Sequence, residues 1–150
     1  MAIIVKVQTQ DFDQAALYHE LRQACPEIGA IVTFTGLVRD MNLGDGVTGL
    51  FLEHYPGMTE KSLTEIAEEA TRRWDLNTVL LTHRVGQLNP SDQIVYVGIS
   101  SAHRGDAFSA CEFIMDYLKT RAPFWKRETT KEGERWVDAR ESDQEAAKRW

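Results

Sequence analysis

The sequence predicts an α+β domain built on largely antiparallel sheet. Short β-branched runs alternate with helical stretches along the chain. At least two pairs of strands are joined by tight turns, as in hairpins. No internal repeat or low-complexity linker interrupts the 150 residues, so a single domain spans 1–150.

The elements follow in order. Residues 2–8 are β-branched and alternate, as a strand does. Asp11 and Gln14 give a helix start, an acceptor for free amides with a reciprocal side chain three positions on. A helix of about 10 residues follows and ends near Cys25-Pro26. Residues 29–38 are apolar and read as a central strand, with Gly36 a bulge or a close backbone approach. Residues 39–49 hold three glycines with Asn and Asp. They read as a hairpin connection turning at Asp45-Gly46, or as a lid over a site anchored by Arg39, and one loop can be both. Residues 47–55 read as a strand, and Pro56-Gly57 turns the chain. Leu63, Ile66, Ala67, Ala70 and Trp74 have helix spacing over 59–74. Residues 78–85 and 94–100 are two strong strands. Ser101 is placed to cap a helix that begins near His103-Arg104. Its apolar stripe reads Ala107, Phe108, Cys111, Ile114, Met115 and Leu118, and Cys111 in that stripe is a small buried hydrophobe. Pro123 cannot continue a helix, so this one ends before it. Residues 124–129 then extend, with Phe124, Lys126 and Glu128 on one face and Trp125 and Arg127 on the other. Residues 131–133 turn, and 134–140 return as a hairpin partner. Ser142 with Glu145 is a capping box for a short terminal helix. The closing Trp150 is expected to dock, on this chain or on a partner.

Charge and composition narrow the function. The formal charge is 17 − 23 = −6, which argues against a general nucleic-acid or anionic-membrane surface. No apolar run approaches a membrane span, and the first residues lack the charged lead and long apolar run of a signal peptide. Cys25 and Cys111 form neither a disulfide framework nor a zinc motif, which fits a reducing cytoplasm. The histidines, His19, His54, His83 and His103, lack close metal-ligand spacing, and no Gly-rich phosphate loop of the usual spacing appears.

Against that acidic background, residues 119–127 pack four cations around Pro123 and two aromatics. Lys119 ends one element and Lys126 lies on the next, so two amines converge around a corner. Arg39 closes a strand, and His103 and Arg104 open a helix, where free amide hydrogens favour an anion. Each cation has a local explanation as well: a lysine in a last turn offsets the helix dipole, and charges on an edge strand guard against aggregation. Taken together they favour a phosphate or carboxylate pocket, with planar Arg forks and Lys point charges. Like charges held close lower a lysine's pKa, which prepares an amine to act as base or nucleophile. Glu128 orients such an amine or shuttles a proton, or forms an ordinary cross-strand ion pair.

The segments Phe-Thr-Gly-Leu-Val-Arg (34–39), Leu-Glu-His-Tyr-Pro-Gly-Met (52–58), Ser-Ala-His-Arg (101–104) and Lys-Thr-Arg-Ala-Pro-Phe-Trp-Lys-Arg-Glu (119–128) resemble the catalytic (large) subunit family of molybdopterin synthase. The likeness runs from about residue 29 to the end, and the 119–128 segment is its specific signal. The resemblance implies an α/β hammerhead fold and a sulfurtransferase that makes the molybdopterin dithiolene from cyclic pyranopterin monophosphate. It implies that sulfur arrives as the C-terminal glycine thiocarboxylate of a small ubiquitin-like subunit, and that the tail threads into a pocket needing neither metal nor organic cofactor. It implies a heterotetramer, a homodimer of large subunits with a small subunit at each end. Carried over residue by residue, it implies catalytic roles for Lys119, near the thiocarboxylate, and Lys126, and a substrate pocket with Arg39, His103, Arg104, Arg127 and Glu128. Phe34 and Arg140 are its second-rank members. Two rivals remain: a non-catalytic adaptor for a ubiquitin-like tail or a phosphorylated ligand, and a sulfurtransferase that carries sulfur on a cysteine.

Overall fold

The computed structural model describes residues 2–23, 25–42, 44–137 and 140–150, apart from the side chain of Glu141. The fold is α+β, with two sheets and four helices among the described residues. The first sheet has the order β1-β5-β7-β2, formed by β1 (Ala2–Gln8), β2 (Ala30–Leu37), β5 (Thr78–Arg84) and β7 (Gln93–Ser101). Its β1–β5 pair is parallel and the others antiparallel. The second sheet has the order β3-β4-β8-β9, from β3 (Met41–Asn42), β4 (Asp45–His54), β8 (Phe124–Thr130) and β9 (Gly133–Val137), with β6 (Gly86–Leu88) also paired to β4. All its pairs are antiparallel.

The period of two along the first sheet supplies both its faces with apolar side chains. Val79, Leu81, Val95, Val97 and Ile99 face α2 (Met58–Arg73) and α3 (Arg104–Arg121) and form the main core with them. Leu80 and Tyr96 face the other way, against Leu17 and Leu21 of α1 (Gln14–Gln23). Gly98 lets α1 approach: a Cβ there would stand 2.5 Å from Leu21 Cδ1. A third cluster, Val38, Leu50, Leu52, Val85 and Leu88, ties the two sheets together, and Phe124 packs on both it and the main core. Large-to-small changes in such cores cost about 2–5 kcal/mol.

Several expectations need correction. Asp13, not Asp11, serves the start of α1: its Oδ1 accepts from Ala15 N–H at 2.9 Å. The 39–49 hairpin does not turn at Asp45-Gly46. Asn42 pairs with Asp45 and Met41 with Gly46, so both are strand residues, and Gly44 takes the positive φ of 81°. Strand β6 was missed within the segment between β5 and β7. Phe108 is not in the α3 stripe but 61% exposed; Ala110, Phe113 and Tyr117 are buried instead. An 18-residue helix buried over a wide arc shows no narrow apolar stripe to read. His103 is the N-cap of α3, and the Ser101 hydroxyl accepts from its N–H at 3.3 Å. The terminal helix α4 (Glu141–Lys148) begins at an Arg140 cap, where Asp143 accepts from Arg140 N–H at 3.3 Å, so Ser142 lies inside the helix. The returning strand β9 was expected to reach 140; it ends at Val137, and residues 138–139 lie outside the described residues.

Gly36 fulfils both readings offered for it. The register of β2 on β7 shifts between Gly36 and Leu37, and a Cβ at Gly36 would stand 2.9 Å from Val95 Cγ1. Trp150 docks on its own chain. Its indole Nε1–H donates to Asp116 at 2.6 Å, and its ring meets Trp74 edge-on at 5.5 Å.

Candidate functional site

The site forms where α3 gives way to β8. Ala122 is already extended (φ −79°, ψ 139°), as a residue before proline prefers. The Pro123 carbonyl accepts from the Thr59 hydroxyl at 3.1 Å, which pins the corner to the start of α2. Lys119 therefore projects from the last turn of α3 and Lys126 from the third position of β8. Both line a cavity of about 410 Å³ between the two sheets. The end of β2 and the β3–β4 hairpin close its other side, through Phe34, Leu37, Arg39, Met41 and Asn42.

The two amines face each other. Burial first, then the neighbouring Lys119, brings the Lys126 pKa down to about 8, with Asp143 and Glu128 acting against them. Much of Lys126 is thus neutral just above physiological pH, as a proton-accepting amine must be.

Glu128 is 5% exposed and is clamped from two sides. Asn42 Nδ2 donates to its Oε1, and Arg135 Nη2 lies 3.8 Å from its Oε2. The same Arg135 donates to Asp45 Oδ2 at 2.7 Å and to the Asn42 carbonyl at 3.0 Å. One guanidinium therefore ties the β3–β4 hairpin to β9 and to the buried carboxylate. The 39–49 segment is a hairpin that also walls the cavity.

Of the residues singled out in the sequence, Lys119, Lys126, Arg39, Glu128, Phe34 and Arg140 line this cavity. Arg127 does not. It sits on the opposite face of β8, 3.5 Å from Glu134, with its guanidinium over Phe51 at 5.0 Å and Trp136 at 5.7 Å. His103 and Arg104 are exposed at the far end of α3, about 22 Å from Lys119 at 1.5 Å per residue. One chain does not bring them to its own cavity.

Asn42, Asp143 and His83 are among the lining residues that were not anticipated. Asn42 and Asp143 gain their places only through long-range folding. His83 left a trace, since it follows Val79 and Leu81 on the core-facing side of β5 and replaces the next expected apolar residue. Cys111 is buried, and burial first, then Glu112, pushes its thiol up to about 11, which leaves it unreactive. Among the described residues, no group of three or more His, Cys, Asp or Glu could hold a metal ion.

The family model described as "MoaE protein" matches residues 7–121. A molybdopterin synthase catalytic subunit from Vibrio cholerae is 62% identical over 146 residues, 97% of each chain. The solved molybdopterin biosynthesis MoaE protein from Burkholderia ambifaria is 56% identical, with a TM-score of 0.85 over 100% of this chain and 98% of that one. A chain from a complex of subunits 1 and 2 of molybdopterin-converting factor from Helicobacter pylori shares the fold at 16% identity and a TM-score of 0.69, over 93% of this chain and 90% of that one. With a family match over most of its length and near relatives end to end, the chain belongs to the MoaE family of molybdenum cofactor biosynthesis.

Proposed function

We propose that the cavity passes sulfur from the C-terminal thiocarboxylate of a small ubiquitin-like subunit to cyclic pyranopterin monophosphate, in two transfers that make the molybdopterin dithiolene. The observation that carries this reading is the meeting of Lys119 and Lys126 from two separate elements in one cavity, with Lys126 made unusually acidic. In each transfer the thiocarboxylate sulfur bonds a pterin carbon as that carbon's oxygen substituent leaves, and water then cleaves the acyl–sulfur bond, releasing the tail as a carboxylate and leaving the sulfur on the pterin. Tail, phosphate and developing transition state are all anionic, and fixed cations stabilise such charge in a partly enclosed site.

The residues divide this work. Lys119, exposed at the cavity rim, meets the end of the tail and acts in acid–base chemistry or transient capture of the acyl group. Lys126 stands deeper, positions the pterin and offsets its charge. Arg39 and Arg140 take the phosphate, and Glu128 keeps the hairpin wall in place. Phe34, Leu37 and Met41 give the mouth exposed apolar surface on which an extended tail can lie. In a pair of catalytic chains, His103 and Arg104 can serve a pterin only from the neighbouring copy, because α3 separates them from their own cavity.

The deciding experiment supplies thiocarboxylated small subunit and the cyclic pterin and reads molybdopterin by mass spectrometry. Lys119→Ala is expected to remove product formation by at least about 100-fold while fold and tail binding persist. Full turnover by that variant would overturn the catalytic assignment of Lys119; tail binding with no product from the unaltered chain would favour the adaptor reading. Cys111→Ala is expected to stay active; loss of sulfur transfer with an intact fold would restore the cysteine route.

A further inference from the structure

His83 belongs to the cavity wall but has no part in the scheme above. It is 5% exposed, and its ring lies flat on Phe124, with centroids 3.9 Å apart and planes 18° from parallel. Its Nδ1 is 2.8 Å from the Arg84 backbone carbonyl. A carbonyl oxygen only accepts, so Nδ1 carries the hydrogen. Burial above all, then Lys126, Lys119 and His54, hold the ring's pKa down to about 3, against the opposing pull of the Arg84 carbonyl. The ring is therefore neutral, and Nε2 keeps a free lone pair.

That lone pair opens on the cavity. No side chain or backbone group among the described residues hydrogen-bonds Nε2, yet Nε2 is not among the sealed polar atoms that lack a partner. The charged and titratable groups around it come from three elements: His54 on β4, Lys119 on α3, and Lys126 on β8, with Asp143 and Glu128 behind Lys126. The two lysines among them carry ammonium groups, which only donate. A lysine's four-carbon stem lets its head swing between acceptors, unless one of them fixes it.

We propose that His83 is a positioning residue for the lysine pair: its Nδ1–H is locked on the Arg84 carbonyl, and its free Nε2 is the acceptor onto which the Lys126 ammonium, on the same cavity wall, turns and is steadied opposite Lys119. The Phe124 stack sets the plane of the ring, and the backbone carbonyl sets its tautomer. This rests on the sulfur-transfer reading for its consequence in turnover, but not for the contact itself.

Two measurements on the free chain test the contact without any assay. Nitrogen-15 NMR of His83 is expected to show the neutral Nδ1–H tautomer from pH 5 to 9; an Nε2–H tautomer or an imidazolium overturns the proposal. Titration of Lys126 by NMR is expected to move down by about one pH unit in His83→Phe, which keeps the stack and loses the acceptor; an unmoved titration overturns it. Turnover then separates positioning from mere structure. His83→Phe, and His83→Asn, which retains only the donor to Arg84, are expected to lower kcat by roughly tenfold with the pterin KM within about twofold. His83→Gln, which returns an acceptor near the Nε2 position, is expected to recover most of the loss. Unchanged kcat in folded Phe and Asn variants, or a rise confined to KM, would overturn the assignment. Should the chain prove not to transfer sulfur at all, the two NMR results still stand or fall by themselves.

Discussion

The two faces of β8 carry cations only one residue apart, and they treat them in opposite ways. On the outer face Arg127 has what an exposed guanidinium can use: Glu134 at 3.5 Å and two aromatic rings beneath it. On the inner face Lys126 is drawn out of water and set beside a second amine, with its pKa lowered to about 8. Residue type and sequence position hardly distinguish the two. The difference lies in what the rest of the fold places opposite each one. The outer arrangement is what a sheet surface does for its own stability, whereas the inner one accepts like-charge repulsion and desolvation, a pattern that clusters at functional sites.

The sharpest way to break that contrast is to remove the inner charge. Lys126→Met is expected to lower sulfur transfer by about 100-fold or more. It is also expected to raise stability at pH 7 by about 2 kcal/mol, because a partly buried, repelled ammonium is lost while its stem is kept. The sign follows from the protons. An unfolded lysine keeps its proton up to 10.5, whereas in the cavity Lys126 releases it near 8. Between those values the unfolded chain holds more protons, so wild-type stability climbs as pH rises through this window and the advantage of the variant shrinks. Urea unfolding at pH 7 and pH 10 reads both effects. A wild-type curve with no climb attributable to Lys126 would mean that the inner face bears no conflict and that the two faces are alike.

Much of this contrast was legible in the chain. Alternation along 124–129 put Phe124, Lys126 and Glu128 together, and all three line the cavity. Pro123 foretold the corner, and with it the arrival of two amines from different elements. The same alternation set Arg127 apart, whereas the cation cluster at 119–127 and the resemblance both counted it with the pocket. What stayed hidden depends on contacts far apart in sequence. Asn42 reaches Glu128 across 86 positions, and Arg135 reaches Asp45 across 90. Helix starts were misplaced by a few residues because several Asp and Ser side chains near each start were plausible caps. His83 was weighed only as a metal ligand, although a histidine that ends a core-facing stripe has to place a polar edge somewhere.

Arg135 sharpens the comparison from the side of the clamp. It is the group through which β9 holds the buried carboxylate and the hairpin together. Arg135→Ala leaves Glu128 buried with Asn42 as its remaining clamp, so stability is expected to fall by about 2 kcal/mol at pH 7. Arg135→Lys is expected to recover only part of that, because one ammonium cannot reproduce a planar fork reaching Asp45, the Asn42 carbonyl and Glu128 at once. Hydrogen exchange at residues 41–47 should quicken in both variants. If it does not, the hairpin is held by its strand pairing alone and the clamp is incidental.

The smallest effect is expected where the resemblance and the geometry part company. Arg127→Ala removes an ion pair exposed to solvent and two cation–π contacts, worth together about 1 kcal/mol or less. Its side chain points away from the cavity, so turnover by one chain's site should stay within about twofold of wild type, with the pterin KM unchanged. Salt should erase most of the stability difference, since surface pairs are screened and the buried lysine pair is not. The informative failure is a large loss of turnover in Arg127→Ala with stability intact. That would require the outer face of β8 to meet substrate in the assembled enzyme, through a neighbouring chain, and the division between a face for stability and a face for chemistry would then hold only for the isolated subunit.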